Sequence, residues 1–314
     1  MWYQKRSSLP LYLFISLVLL ILLLTSCTSV RPVIKIGLLA PFEGLHRRSG
    51  YEALTFMRQA IADYSTTDEV AIMPLALDDG ATPVQAARAV RKMVQDGAVQ
   101  AVVGPYRPVL VPSVEAALAS TGLPWLMPFA VDPTSGFVFP DQTGTWALPL
   151  LTAAAEQAQA LGGQRLVLAG WTPGWPHLTA EQAATAFAVP LLVSDQITVV
   201  QVEDAVLWLG APEAAAVYLT ALRAQFPTVP FLLGPQADSP ILSERTQNIG
   251  SVYLLFWLDD HYEQWRTQAG VVSPTAYLTY RVTQQAIARS LGHAWLESQS
   301  WRIQAVVVSK DGIR

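Results

Sequence analysis

The sequence is poor in the side chains that do chemistry: its 314 residues hold one cysteine, four histidines and 14% charged residues. The lone cysteine, Cys27, excludes an internal disulfide, so stability must come from a packed core. The histidines lack metal-ligand spacing, no serine sits in a Gly-x-Ser-x-Gly elbow and no Gly-rich phosphate loop is present, which leaves catalysis, metals and cofactors without support. Basic residues are also scarce, 20 lysines and arginines against 24 acidic residues. His46, Arg47 and Arg48 make one short basic cluster, read as a solvated loop. Nucleic acid requires concentrated positive charge and is excluded as a partner.

What the chain has in quantity is apolar surface. A hydrophobic content of 52% excludes general disorder, and the length allows two domains of ordinary size. Part of that content is a leader. Lys5 and Arg6 precede an apolar run from Leu11 to Leu24, which fits the hydrophobic region of a secretory signal. A bilayer span needs roughly 20 apolar residues, so the run is short for a membrane helix. Leu24, Thr25, Ser26 and Cys27 follow at once and resemble the lipobox of a bacterial lipoprotein, in which cleavage falls before a cysteine that carries a diacylglyceryl group. The competing reading is an uncleaved anchor with an incidental cysteine. The expectation is a signal peptide over 1–26, a lipidated tether over 27–32 and an extracytoplasmic protein held on the membrane by two or three acyl chains. Two of the 20 basic residues and no acids fall in the leader, so 18 face 24 and the mature charge is about −6.

The densest signal lies in Val70 to Pro108, where two apolar runs flank a segment of helical spacing, giving strand, helix, strand. Thr82 can cap the helix, Pro83 suits its first turn, Gln85 completes a capping-box pattern, and Gly97 can take a left-handed terminating turn. Val84, Ala87, Val90 and Val94 share one face. A crossover of this length joins parallel strands. Pro74 lacks an amide donor and favours a sheet edge for the strand Val70 to Leu77. Asp78 and Asp79 at its end project oppositely, which favours a turn role over acid chemistry.

Alternation continues on both sides. Before this unit come a buried strand, Val33 to Leu39, and a helix from Ser49 to about Tyr64. After it come a helix from Val109 to Ser120, a short strand Leu123 to Met127 and a connection rich in proline and glycine. A second series then runs through helix Leu151 to Ala160, strand Arg165 to Ala169, helix Thr179 to Phe187, a strand near Ile197 to Val202, strand Ala205 to Leu209, helix Pro212 to Gln225, strand Pro230 to Leu233, a short helix at Ile241 to Arg245 and strand Val252 to Trp257. Helix Pro274 to Leu291 and strand Ile303 to Ser309 close the chain.

Such alternation implies an α/β fold of two Rossmann-like parallel-sheet lobes joined by a hinge. Lobe 1 is expected over 33–145, lobe 2 over 146–270, and 271–314 forms a crossover free to return in part to lobe 1. In open parallel sheets ligands collect at the carboxyl ends of the strands. The loops there carry Phe42, Glu43, Tyr106, Arg107, Asp132, Trp171, Trp175, Glu213, Gln236, Asp238 and Asp259, an aromatic and acidic set suited to a cleft.

Four stretches resemble a known family, the type I periplasmic binding proteins in the leucine/isoleucine/valine-binding branch: IKIGLLAPFEGLHRRSG from Ile34, LDDGATPVQAARAVRKMVQDGAVQAVVGP from Leu77, VLWLGAPEAAAVYLTALRAQFPTVPFLLG from Val206, and, more weakly, Gly250 to Trp257 with the helix around Tyr277. The resemblance implies two lobes closing over a small polar ligand, an amino acid, amide or small carboxylate, that is handed to an ABC permease in the membrane. It implies no enzyme and no cofactor. Amino-acid binders of the family hold the ligand carboxylate with a hydroxyl residue just after the Gly-Pro turn and with the next strand's loop; here those places hold Tyr106, Arg107 and Pro108, and Ala130, Val131 and Asp132. An acid after a second-lobe Gly-Pro pair helps hold the ligand ammonium, and here Gln236 follows Gly234 and Pro235. Arg107 is able to grip a carboxylate bidentately, while Asp238, Asp132 or Glu43 can replace the acid. These departures motivate an alternative, the same fold used as a sensor or as an activator of an envelope enzyme.

Overall fold

The computed structural model describes residues 31–64, 70–129, 131–132, 136–137, 147–170, 189–235, 239–246, 250–270, 273–293, 302–309 and 312–313. The first sheet is wholly parallel. It contains β1 (Val33–Ala40), β2 (Ala71–Asp78), β3 (Val99–Val103) and β4 (Trp125–Leu126) in the order β2-β1-β3-β4. Pro74 therefore lies on an edge strand, where its missing N–H breaks no ladder. β1 is central, and Ile36 to Ala40 are buried apart from the glycine's lack of side chain. Covering helices are α1 (Arg47–Tyr64), reached through a 3-10 turn at Gly44–His46, then α2 (Pro83–Gln95) and α3 (Val111–Leu118).

α2 forms as its sequence dictates at the start and differently at the end. The Thr82 hydroxyl accepts the Gln85 N–H at 3.4 Å and Pro83 opens the first turn. Its buried face is Ala86, Ala87, Ala89, Val90 and Met93, whereas Val84 points to solvent. Gly97 takes no left-handed turn. Asp96 closes the helix in an extended conformation, its Oδ1 accepting the Ala98 N–H at 3.0 Å and its Oδ2 held by Lys35 at 2.6 Å. A carboxylate that satisfies the turn's free amide removes the need for a glycine there.

The second lobe is built on α4 (Ala147–Ala160), β7 (Arg165–Ala169), β8 (Leu191–Val193), β9 (Asp204–Trp208), α5 (Pro212–Gln225), β10 (Phe231–Leu233), α6 (Pro240–Arg245) and β11 (Val252–Leu258). A separate short ribbon, β5 (Val131–Asp132) with β6 (Gly136–Phe137), lies between the lobes in sequence. The expected strand near Ile197 to Val202 is a 3-10 turn at Ile197–Val199, and the strand is β8 instead. Arg165 explains the turn: it grips Asp204 at 2.9 and 2.7 Å and donates to Val199 O at 2.9 Å, while Asp204 Oδ2 accepts the Gln201 N–H at 2.7 Å. The backbone polar groups there are answered by side chains rather than by a neighbouring strand.

Beyond β11 come α7 (Tyr262–Ala269), α8 (Pro274–Ser290), β12 (Arg302–Ser309) and β13 (Gly312–Ile313). Among the described side chains of α7, Tyr262 and Trp265 are the buried apolar positions, too sparse a pattern to be read as a helix beforehand. α8 packs along α1 and on β1 and β3, so the chain recrosses to the first lobe. It then returns in the reverse direction, and β12 must pair antiparallel to β11, giving the order β13-β12-β11-β10-β9-β7-β8. The crossing is fixed by Asp259, fully buried, which accepts the Tyr277 hydroxyl and the His261 N–H and pairs with Arg281 at 3.4 Å. One apolar cluster runs through both lobes by way of Trp265 and Tyr277, while two others cover the outer sheet faces. Among the described residues no helix is long and apolar enough to cross a membrane.

Candidate functional site

The ends of the central strands set the site. Pro41 follows β1, Tyr106 and Arg107 follow β3, Pro128 and Phe129 follow β4, Pro212 follows β9 and Pro235 follows β10, and all of them line one cleft. His46, Ser49, Ser239 and Thr275 complete its described lining. The cleft thus takes residues from both sheets and from the first turn of α8, at the carboxyl ends of parallel strands.

Backbone geometry holds these loops close together. Asp78 Oδ1 accepts the Phe42 N–H at 2.7 Å, tying the loop after β1 to the end of β2. Asp79 Oδ1 accepts the Ala81 N–H at 2.8 Å and shapes the turn into α2. Gly104, with φ of +108°, leaves no room for a side chain against Leu39, and its carbonyl accepts the Trp125 indole N–H. The turn that follows directs Tyr106 and Arg107.

Their side chains are engaged within the protein. The Tyr106 hydroxyl shares a 2.8 Å hydrogen bond with Thr279 Oγ1 of α8, and burial pushes its pKa far above the usual tyrosine range. Arg107 Nη1 donates to Ala81 O at 3.2 Å, and Nη2 donates to Glu213 Oε1, across the cleft, at 3.2 Å. His46 Nε2 stands 3.6 Å from the same oxygen. The His46 imidazole, the Glu213 backbone N–H and the Arg107 guanidinium hold the Glu213 carboxyl at about 2, against burial, which pushes it up. Glu213 also sits in the first turn of α5, where the helix dipole favours an anion. At the rim, Arg48 faces Glu244 at 3.4 Å. All three ion pairs place the base on the first lobe and the acid on the second.

Of the residues expected at the site, Tyr106 and Arg107 line the cleft and Glu213 meets Arg107 there. Phe42 packs edge-on against Tyr51, with centroids 5.5 Å apart, and Glu43 is exposed; neither lines the described cleft. Asp259 belongs to the lobe crossing. Val131 and Asp132 are described as a backbone strand only, and Ala130, Trp171, Trp175, Gln236, Asp238, Cys27 and the expected helix Thr179 to Phe187 lie outside the described residues. His46 corrects the reading of its cluster as a solvated loop: it is buried and faces Glu213. Its position three residues beyond a loop already assigned to the cleft was the available signal. Ser49, Ser239 and Thr275 had none, since a lone hydroxyl at a helix start reads as local structure: Ser239 caps α6, and Ser49 and Thr275 lie in the first turns of α1 and α8. Among the described residues no cluster of histidine, cysteine or carboxylates is arranged to hold a metal.

No curated protein matches the sequence. Solved structures do resemble the fold. The leucine binding protein LivK of Thermotoga maritima aligns over 90% of this chain and 97% of its own, with 17% identity and a TM-score of 0.65. A branched-chain amino acid transporter substrate binding protein of Streptococcus pneumoniae, solved with isoleucine, aligns over 85% of both chains at 16% identity and TM-score 0.57. An ABC transporter substrate-binding protein of Desulfitobacterium hafniense, solved with leucine, covers 90% of this chain and 99% of its own at 15% identity and TM-score 0.59. A family model described as periplasmic binding protein matches residues 33–242, two-thirds of the length and every strand from β1 to β10. With its two parallel-sheet lobes and interlobe cleft, the chain belongs to the periplasmic binding protein family, in its type I fold.

Proposed function

We propose that the protein is a lipid-anchored extracytoplasmic solute-binding protein that captures a small polar ligand between its lobes and delivers it to an ABC permease. The observation that carries this is the cleft itself, lined by strand-end residues of both lobes. Its lining mixes proline and aromatic rings with a few polar groups, as small-molecule sites do, and holds no arrangement of nucleophile and base among the described residues. The leucine and isoleucine found in related structures name the first ligands to test.

Thermal-shift screening of the protein against amino acids, amides and small carboxylates should give a concentration-dependent rise in melting temperature for one chemical class, because a ligand bound only by the folded state stabilises it. Silence across a broad library would overturn uptake. The anchor is a separate matter, supported by Cys27 after a leader-like run. Cys27→Ala should release the protein from membranes in detergent-free fractionation, and persistence in the membrane pellet would refute lipidation.

A further inference from the structure

The groups best placed to receive a ligand's carboxylate are already used inside the protein. Tyr106 turns its hydroxyl to Thr279 at 2.8 Å. Arg107 divides its two terminal nitrogens between Ala81 O and Glu213 Oε1, both at 3.2 Å, and His46, the other basic residue of the lining, faces that same carboxylate. The described lining holds no further cation. The undescribed segments between residues 31 and 309 contain not one lysine or arginine, and they do contain Asp141, Glu181 and Asp238.

One acceptor at the site, in contrast, is unused. Glu213 Oε2 has no hydrogen-bond partner, on a carboxylate whose other oxygen meets Arg107 of the lining. A buried carboxylate oxygen without a donor is costly, and a ligand N–H removes the cost. A ligand carboxylate must instead compete with Glu213, a partly buried carboxylate 3.2 Å from Arg107, and meets its negative charge.

Resting on the ligand-binding reading above, we propose that Glu213 is a specificity-determining residue: it occupies the cleft's guanidinium as an internal carboxylate, so that the cleft takes small organic amines with an apolar tail and rejects free carboxylic acids. The rejection is a built-in repulsive element as well as a missing attractive one. Apolar tails suit the Pro41, Pro128, Phe129 and Pro212 side of the lining.

Three probes with one branched tail separate the possibilities: 3-methylbutylamine, L-leucine and 4-methylpentanoate, titrated calorimetrically into the full protein at neutral pH. The wild type should bind the amine most tightly and the acid at least about tenfold more weakly, the scale of one charge-assisted hydrogen bond. Glu213→Gln keeps the side chain's shape and frees Arg107, and it should bind the acid at least about tenfold more tightly than the wild type does. Arg107→Met, a second variant, should leave Glu213 with one partner fewer and strengthen the amine without restoring the acid. If the wild type takes the acid as tightly as the amine and Glu213→Gln keeps that ranking, the internal carboxylate is refuted while ligand capture stands. If no probe binds the wild type or a folded Glu213→Gln, the amine preference falls, while ligand capture is decided by the broader thermal-shift screen.

Discussion

Replacing Asp79 by asparagine should stabilise the protein at neutral pH and leave it unchanged in acid. Asp79 is fully buried at the end of β2; Oδ1 accepts the Ala81 N–H and Oδ2 has no partner. Burial is the largest influence on it and Asp78 adds repulsion. The Ala81 N–H, Arg107 and His46 act the other way, and the carboxyl ends up pushed from 3.8 to about 6. An acid whose folded value lies above its unfolded value holds its proton more tightly when folded. Below pH 3.8 both states are protonated and no penalty exists. Between 3.8 and about 6 the unfolded chain sheds the proton first, and stability falls as pH rises. Above about 6 the penalty is complete, about 3 kcal/mol at 1.4 kcal/mol per tenfold.

Asparagine keeps the shape and the acceptor for Ala81 but carries no charge. Its amide N–H₂ stands where Oδ2 finds no partner, as the O–H of protonated Asp79 does, so the two side chains are equivalent in acid. The expected gain is therefore about 3 kcal/mol at pH 7.5, read as a higher urea midpoint with unchanged m-value, shrinking towards nothing at pH 4. Destabilisation by Asp79→Asn at pH 7.5 would refute the reasoning, since it would mean that Arg107 and His46 outweigh burial and that the charge supports the fold. An equal effect at both pH values would refute it too, by removing the proton from the account.

Two substitutions probe the framework that positions the cleft. Arg223 is buried and its guanidinium donates to Val229 O at 2.6 Å and Ser251 O at 3.1 Å, joining the end of α5 to the approaches of β10 and β11. Arg223→Met should lower stability by about 2 to 4 kcal/mol in urea denaturation, because carbonyls buried around it lose their donor. Gly104→Ala should lower it by more than about 3 kcal/mol or abolish soluble expression, since φ of +108° excludes a Cβ and the added atom would run into the Leu39 carbonyl. A variant that melts like the wild type would show that the turn carrying Tyr106 and Arg107 is not held as described.

The fold was legible where local chemistry and tertiary packing agree. α5 over Pro212–Gln225 and β7 over Arg165–Ala169 match the residues read from pattern alone, because each sits between a helix-starting proline or a glycine and an uninterrupted apolar face. Pro74 located the sheet edge for a reason that needs no neighbour. Legibility failed where a distant side chain decided the backbone. Ile197 to Val200 is as apolar and β-branched as any strand, yet Arg165, more than 30 residues earlier, captures Val199 O and makes a turn. Gly97 looked like a terminator because nothing in the local sequence shows that Lys35 holds Asp96 in that role. The antiparallel run of β12 follows from where α8 packs, a tertiary fact that periodicity does not contain.

The site divides along the same line. That Tyr106, Arg107 and Glu213 would stand at strand ends was readable, since topology places strand ends without knowing their partners. Which partner each would choose was not. Arg107 read alone is a free guanidinium that invites a carboxylate; Arg107 beside Glu213 and Ala81 already has a carboxylate partner. His46 read beside two arginines is part of a solvated basic loop; His46 buried against Glu213 is a third member of a charge cluster shared by both lobes. In each case one acidic residue, more than 100 positions away, reverses the meaning of the base. Ligand chemistry in such a cleft is therefore set less by which charged residues reach it than by which of their atoms remain unpaired once the lobes meet, and here that atom is Oε2 of Glu213.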